Sequence, residues 1–338
     1  MVIALIAITI LSFTVWLHHF FTMGAGADVN TFFGIMTMVI AIPTGVKVFN
    51  WIFTMYRGRV DFKTPMLWFM GFVVTFTIGG VTGVLMAVPG IDYAVHNSLF
   101  LVAHFHNMII GGVVFGVFAG YSYWFPKFAG FRLHEGLGVA AFWCWLIGFL
   151  LAFLPLYVLG FMGAVRRLDH YDASLGWQGL FIVAGIGILV ILLGVFFQIV
   201  QLGYSIWKRK ELAVGPDPWD ARTLEWATST PVAEYNFATL DAVTDRDAFW
   251  VQKQSKQTTK PKYHAIELPK NTAFGIYIAG AAFVVGFAVI WHIWWLVAIG
   301  MIGVIVLAIA STQREDSEYT LTAAEVEATE KKLWGAKV

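Results

Sequence analysis

The chain has 338 residues, of which 59% are hydrophobic, 17% aromatic and only 13% charged, with a mean hydropathy of +0.72. Soluble domains average about 25% charged residues, so an aqueous globular fold is excluded, and a formal net charge of +1 leaves no electrostatic footprint for nucleic acid. The single cysteine, Cys144, sits in an apolar run and supports neither a disulfide framework nor a cysteine-only metal site.

A helix needs about 20 predominantly apolar residues to cross a bilayer. By that rule the sequence predicts about eight spans, near 2–20, 31–56, 66–87, 97–124, 138–161, 177–206, 272–291 and 293–311. The first stretch, Met1 to Leu17, has neither a basic leader nor a small-residue cleavage site, so it reads as a span and not as a signal peptide. The expected fold is all-α, a polytopic transmembrane helical bundle whose short connections favour antiparallel neighbours. Residues 1–206 hold six spans. Residues 207–270 are a polar loop with five of the ten prolines, 271–311 hold two further spans, and 312–338 form a charged tail expected to be helical at the surface.

Lys and Arg in alternate loops set the orientation. Arg57, Arg59 and Lys63, then Lys127 and Arg132, then ten basic residues in 207–270, then Arg314, Lys331, Lys332 and Lys337 fall on one face, nineteen of twenty-two. That face is expected to be cytoplasmic. Arg166 and Arg167 lie on the opposite face, and Lys47 lies within a span.

His18 and His19 end the first span on the outer side. His104 and His106 lie two to three turns into the fourth, and His96 stands at its outer mouth. Ionisable side chains at membrane depth are costly and mark functional sites, so these five imidazoles read as a metal centre. Residues two apart on an α-helix point about 200° from each other. His104 and His106 therefore suit two different centres, such as two haem irons, one on each side of the helix. His18 and His19, at a helix end where the backbone can unwind, suit one ion, and imidazole suits copper. His134, His170 and His264 in loops, and His292 among Trp291, Trp294 and Trp295, read as hydrogen-bonded or solvated histidines.

Arg166 and Arg167 suit strong charge-assisted bonds to carboxylates, such as haem propionates at the outer surface. The alternative is a solvated pair answering Asp169 and Asp172. Lys47 stands ten residues from Arg57, roughly 15 Å up the helix, too deep to snorkel. Pro43, Thr44 and Gly45 precede it, where a loosened helix admits water and frees carbonyls. A proton path from the cytoplasm is the functional reading, and a structurally paired lysine the other.

These motifs together resemble subunit I of the haem-copper terminal oxidases. Trp16-Leu17-His18-His19-Phe20-Phe21 resembles that family's copper-ligand motif, and Ile42-Pro43-Thr44-Gly45-Val46-Lys47 its lysine proton channel. Val102-Ala103-His104-Phe105-His106-Asn107 resembles its two-haem motif, and Gly163-Ala164-Val165-Arg166-Arg167 its propionate clamp. The resemblance implies His18 and His19 as copper ligands, His104 as axial ligand of a high-spin haem (o or a type) and His106 as ligand of a low-spin haem (b or a type). It further implies Lys47 and Thr44 as proton-channel residues, Arg166 and Arg167 as propionate partners, and Asp92 and His96 as neighbours of the high-spin haem propionates.

Asn97 stands where cytochrome c oxidases usually carry an aspartate. That residue, the stretch Asp217-Pro218-Trp219 to Leu224-Glu225-Trp226-Ala227-Thr228 and the two last spans are similar to the quinol branch, of the cytochrome bo type. The function so implied is reduction of O2 to water with electrons from ubiquinol, coupled to proton translocation. Its setting would be a bacterial inner membrane, with oxidase subunits II, III and IV and membrane lipid as partners. Cytochrome c as the donor is the alternative within the family, and a non-redox transporter or channel the alternative outside it. Family members carry further spans ahead of the copper motif, which supply the remaining ligands. The chain is therefore expected to be the C-terminal half of the subunit, as a fragment, a split gene product or a misassigned start, with the N-terminal half as its partner.

Overall fold

The structure, a computed structural model, describes residues 1–239, 243, 245–255 and 261–335. It divides into two compact units, Met1–Val214 and Gly215–Val338.

In the first unit, α1 (Val2–Thr14) runs into a 3-10 segment, Trp16–Met23, and is followed by α2 (Ala27–Val39), α3 (Ala41–Met55), α4 (Thr64–Met86) and the short α5 (Pro89–Val95). The next span is built of α6 (Leu99–His106), a π-helical stretch Asn107–Val114, and α7 (Phe115–Ala129). Two long helices, α8 (Glu135–Phe161) and α9 (Gln178–Trp207), complete the unit.

Local chemistry fixes several of these limits. Pro65 in the first turn of α4 occupies a position whose N–H has no intrahelical partner. The adjacent Thr64 N–H donates to Glu135 Oε1 at 2.6 Å, tying the start of α4 to the start of α8. Ser98 caps α6, its Oγ accepting from the Phe100 N–H. Gly130 ends α7 in the left-handed region at φ 82°. The second predicted span is broken at Ile40, three residues before Pro43, whose ring clashes with the preceding turn and removes one helical bond.

Packing follows membrane rules, in which small residues rather than apolar exclusion let helices close on each other. A Cβ on Gly148 of α8 would stand 2.7 Å from the Ile191 nitrogen of α9, so this contact requires glycine. Trp68 of α4 anchors the core, edge-on to Phe115, Phe118 and Phe142 at centroid distances of 5.2, 4.9 and 5.3 Å. Ile182, Leu189, Leu192 and Phe196 of α9 are exposed, as a lipid-facing surface requires.

The second unit holds a 3-10 turn at Leu224–Ala227, α10 (Ala248–Ser255), β1 (Ile266–Pro269), α11 (Phe274–Ile290), α12 (Trp294–Thr312), β2 (Glu318–Leu321) and α13 (Ala323–Gly335). Strands β1 and β2 pair antiparallel, Ile266 opposite Leu321 and Pro269 opposite Glu318. With the Lys270–Asp316 ion pair beside them, they clamp the open end of the α11–α12 hairpin. Lys253 of α10 bonds Asp217 and Asp220 at 2.9 and 2.8 Å, and Tyr235 donates to Glu330 of α13 at 2.8 Å.

Among the described residues seven helical segments are long and apolar enough to cross a membrane. The remaining predicted span, the seventh at 272–291, is α11, which is apolar but 17 residues long. The His292 turn, at φ 56°, ends it early.

Candidate metal centre

The end of the first span is unwound, the option that the adjacent histidines left open. His18 and His19 lie in the 3-10 segment, and Phe20 breaks it with non-helical angles of φ −127° and ψ 18°. The consequence is that the two Nε2 atoms meet at 2.9 Å. Two imidazole nitrogens bound at right angles to one ion, each at a distance of about 2.0–2.1 Å, stand about 2.9 Å apart. Nδ1 of His18 is 3.1 Å from Thr37 Oγ1 of α2, and that hydroxyl donates to the Phe33 carbonyl at 2.6 Å. Thr37 can then only accept, so Nδ1 of His18 carries the proton and its Nε2 presents a lone pair.

His104 and His106 face different neighbours. Nδ1 of His104 is 3.1 Å from the Gly79 carbonyl and 3.0 Å from Thr82 Oγ1, both on α4. A Cβ on Gly83 would stand 2.9 Å from His104 Cε1, so the ring lies flush on α4 because Gly83 lacks one. His106 turns toward α8, its ring stacked on Phe153 at 4.4 Å and 20°, while its Nδ1 donates to the Val102 carbonyl at 2.7 Å. A carbonyl only accepts, so both rings carry hydrogen on Nδ1 and keep an unprotonated lone pair on Nε2. The π-helical stretch begins directly after His106. Thr75 Oγ1 of α4 shares its one hydrogen between the Gly71 carbonyl of its own helix at 2.8 Å and the Gly111 carbonyl of the wider turn at 2.9 Å.

Asp92 and His96 pair through Oδ2 and Nδ1 at 3.1 Å, and Nε2 of His96 reaches Thr22 Oγ1 at 3.2 Å. Asp92 is buried. Burial raises its pKa above the ordinary carboxylate value, against the opposing pull of His96. Thr22 belongs to the same 3-10 segment as His18 and His19, so His96 stands beside the end of that segment. Among the described residues no three His, Cys, Asp or Glu side chains converge on one point.

Arg166 binds Asn97, whose Oδ1 accepts from Nε at 3.1 Å and Nη2 at 2.7 Å. The pairing with Asp169 and Asp172 weighed from the sequence is not what the structure shows. Asp172 accepts from the Ser174 N–H, and Asp169 pairs with His170. Lys47 and Thr44 are half-buried on α3. Among the described residues Lys47 has no ion-pair partner; its ammonium sits 5.3 Å from the centre of the Trp51 ring.

Sequence reasoning passed over Thr37, Thr82 and Tyr157. The available signal was the run Gly79, Thr82, Gly83 at i, i+3 and i+4, a small and polar stripe on an otherwise apolar helix.

The donor set fits haem and copper. Imidazole nitrogens with a fixed tautomer suit both metals, and guanidinium groups at the membrane surface suit propionates.

Fold and site thus define a helical integral membrane protein with one pair of imidazoles at the end of a span and a second pair within its bundle. The family described as Cytochrome C and Quinol oxidase polypeptide I matches residues 1–221, and the chain belongs to that family, whose haem-copper oxidases imply haem and copper as cofactors. It is 54% identical over 336 residues, 98% of its length and 51% of the relative's, to Cytochrome bo(3) ubiquinol oxidase subunit 1 of Buchnera aphidicola. It is 54% identical over 332 residues to a Bradyrhizobium diazoefficiens protein named "Probable cytochrome c oxidase subunit 1", covering 96% of this chain and 50% of that one. With Quinol oxidase subunit 1 of Bacillus subtilis it shares 42% over 337 residues, 98% and 52% of the two chains. The chain spans about half the length of the curated relatives it matches. A chain of a solved heme-copper terminal oxidase dimer shares the fold, with a TM-score of 0.53 and 24% identity over 58% of this chain and 40% of that one.

Proposed function

We propose that the chain supplies the metal-bearing half of the catalytic subunit of a bacterial respiratory oxidase. That enzyme reduces O2 to water with electrons from ubiquinol and couples the reaction to proton translocation across the inner membrane. The observation that carries this reading is the histidine geometry. His18 and His19 present two Nε2 atoms 2.9 Å apart, while the rings of His104 and His106 lie against different helices, α4 and α8.

In this reading His18 and His19 hold copper, His104 the iron of a high-spin haem (o or a type) and His106 that of a low-spin haem (b or a type). When bound, these groups supply electron transfer and oxygen reduction. The chain's own residues do the rest. The Gly79 and Val102 carbonyls hold His104 and His106 with Nε2 unprotonated. Arg166 and Arg167 place positive charge for propionates, next to the Asp92–His96 pair. Lys47 and Thr44 lie on the same broken span as Thr37, the residue that holds His18. A cytoplasmic proton carried by Lys47 is thereby brought up the span that meets the copper pair. Two histidines are a sparse ligand set, so further ligands come from outside the described residues. Subunits II, III and IV complete the assembly.

Ubiquinol as donor rests on the relatives named for it and on Asn97, a neutral residue committed to Arg166. A relative named for cytochrome c oxidase at the same 54% identity keeps cytochrome c as the second reading. The test is to purify the assembly containing this chain, record its optical spectrum and metal content, and compare oxygen uptake with ubiquinol and with reduced cytochrome c. Two haems, copper and quinol-driven uptake are expected. Absence of haem would return the chain to the transporter class.

A further inference from the structure

Thr82 of α4 sits at the centre of a network that the roles above leave unused. Its Oγ1 is 2.9 Å from the Gly79 carbonyl, 3.0 Å from His104 Nδ1 and 3.1 Å from the Tyr157 hydroxyl of α8. Donors and acceptors can be assigned one by one. The Gly79 carbonyl only accepts, so the Thr82 hydrogen points at it. Nδ1 of His104 faces the same carbonyl at 3.1 Å, so it also carries hydrogen, shared between Gly79 O and Thr82 Oγ1. With its one hydrogen spent, Thr82 accepts from Tyr157, whose hydroxyl must be the donor. Tyr157 is itself fixed. It is 8% exposed and lies edge-on to Phe100 at 4.9 Å.

We infer that Thr82 and Tyr157 are positioning residues for His104: Tyr157 locks the Thr82 hydroxyl, and Thr82 supplies the second acceptor that fixes the tautomer and rotation of the His104 ring. The inference rests on the proposed role of His104 as a haem ligand. Its chemical content is that hydrogen bonding at Nδ1 raises the basicity of Nε2 and orients it, as partners of metal-bound histidines generally do. Gly79 alone leaves the ring a single acceptor at Nδ1. Tyr157 reaches this site from 75 residues along the chain, so α4, α6 and α8 together set the ligand.

The test uses the intact, haem-loaded assembly and reads the iron–histidine stretching band of the reduced high-spin haem by resonance Raman. Thr82→Val should move that band to lower frequency and slow turnover about tenfold, the low end of what such partners contribute. Tyr157→Phe, which removes one oxygen and leaves the ring packing, should give a smaller shift in the same direction. Thr82→Ser, which keeps the hydroxyl, should restore the parental band. The His106-linked low-spin signal reports correct assembly. Loss of the high-spin haem with that signal intact in Thr82→Val, and its recovery in Thr82→Ser, also supports the inference. A parental band in both Thr82→Val and Tyr157→Phe overturns it, and where Thr82→Val fails to assemble, Tyr157→Phe alone decides. Absence of any histidine-ligated high-spin band from the parent would instead overturn the proposed role of His104.

Discussion

Asn97 holds Arg166 through a forked contact, its single side-chain oxygen accepting from both Nε and Nη2. The backbones of the two residues are also tied. Arg166 N–H donates to the Asn97 carbonyl at 2.9 Å, and Leu99 N–H to that of Ala164 at 2.9 Å. Asn97 has φ 56°, a region that asparagine enters more readily than most residues. Removing the side chain should release the guanidinium, and a residue such as alanine at that φ should add backbone strain.

Asn97→Ala should cost about 1 kcal/mol, the usual worth of one such bond at a wet site, and should weaken retention of the high-spin haem. Asn97→Gly, which relieves the positive φ, should recover part of the stability without restoring haem retention. Thermal melts and haem content of the two variants measure this, and parental values in Asn97→Ala would show the fork to be idle.

The histidines separate by centre. His106→Ala should lose the low-spin haem signal selectively, because its ring faces α8. His104→Ala should disturb the oxygen- and CO-reactive haem. His18→Ala or His19→Ala should lose copper with less effect on either haem. Optical spectra and metal analysis of inserted, assembled variants check this, and identical spectral losses at His104 and His106 would contradict their opposed orientations.

Lys47→Met should leave both haems bound and slow oxygen uptake by about 100-fold or more, the scale of a lost proton-transfer group. The half-buried ammonium has an aromatic face for company and no carboxylate among the described residues, so its removal breaks no structural ion pair. Near-normal oxygen consumption would remove Lys47 from the proton path.

The clamp on the α11–α12 hairpin should loosen in acid. The hydrogen bond from Lys270, then its charge, holds the Asp316 carboxyl below its ordinary value of 3.8. A depressed carboxylate pKa gives stability that is present above the unfolded value and lost as pH falls through the folded one. Asp316→Asn at neutral pH should mimic that loss. Amide exchange in 266–269 and 318–321 should quicken roughly two- to fivefold, the modest effect of an exposed pair, and unchanged exchange would show that the strands hold alone.

The sequence by itself determined the class of fold and set out the motifs on which the proposed chemistry rests. Hydropathy and loop charge are local properties, and they can be read along the chain whatever surrounds each residue. The pairing of His18 with His19 was legible only as an option. The two Nε2 atoms meet because the helix becomes 3-10 and breaks at Phe20, and nothing in the hydropathy of Trp16–Met23 records that. Tertiary structure alone decided that His104 rests on Gly79 and Thr82, that Tyr157 reaches the same network, and that Arg166 binds Asn97 in place of Asp169 or Asp172. Each of those contacts joins residues 22 to 75 positions apart. They depend on how far each helix is rotated and slid against its neighbour, which close packing at glycines such as Gly83 and Gly148 sets and which helical periodicity does not encode.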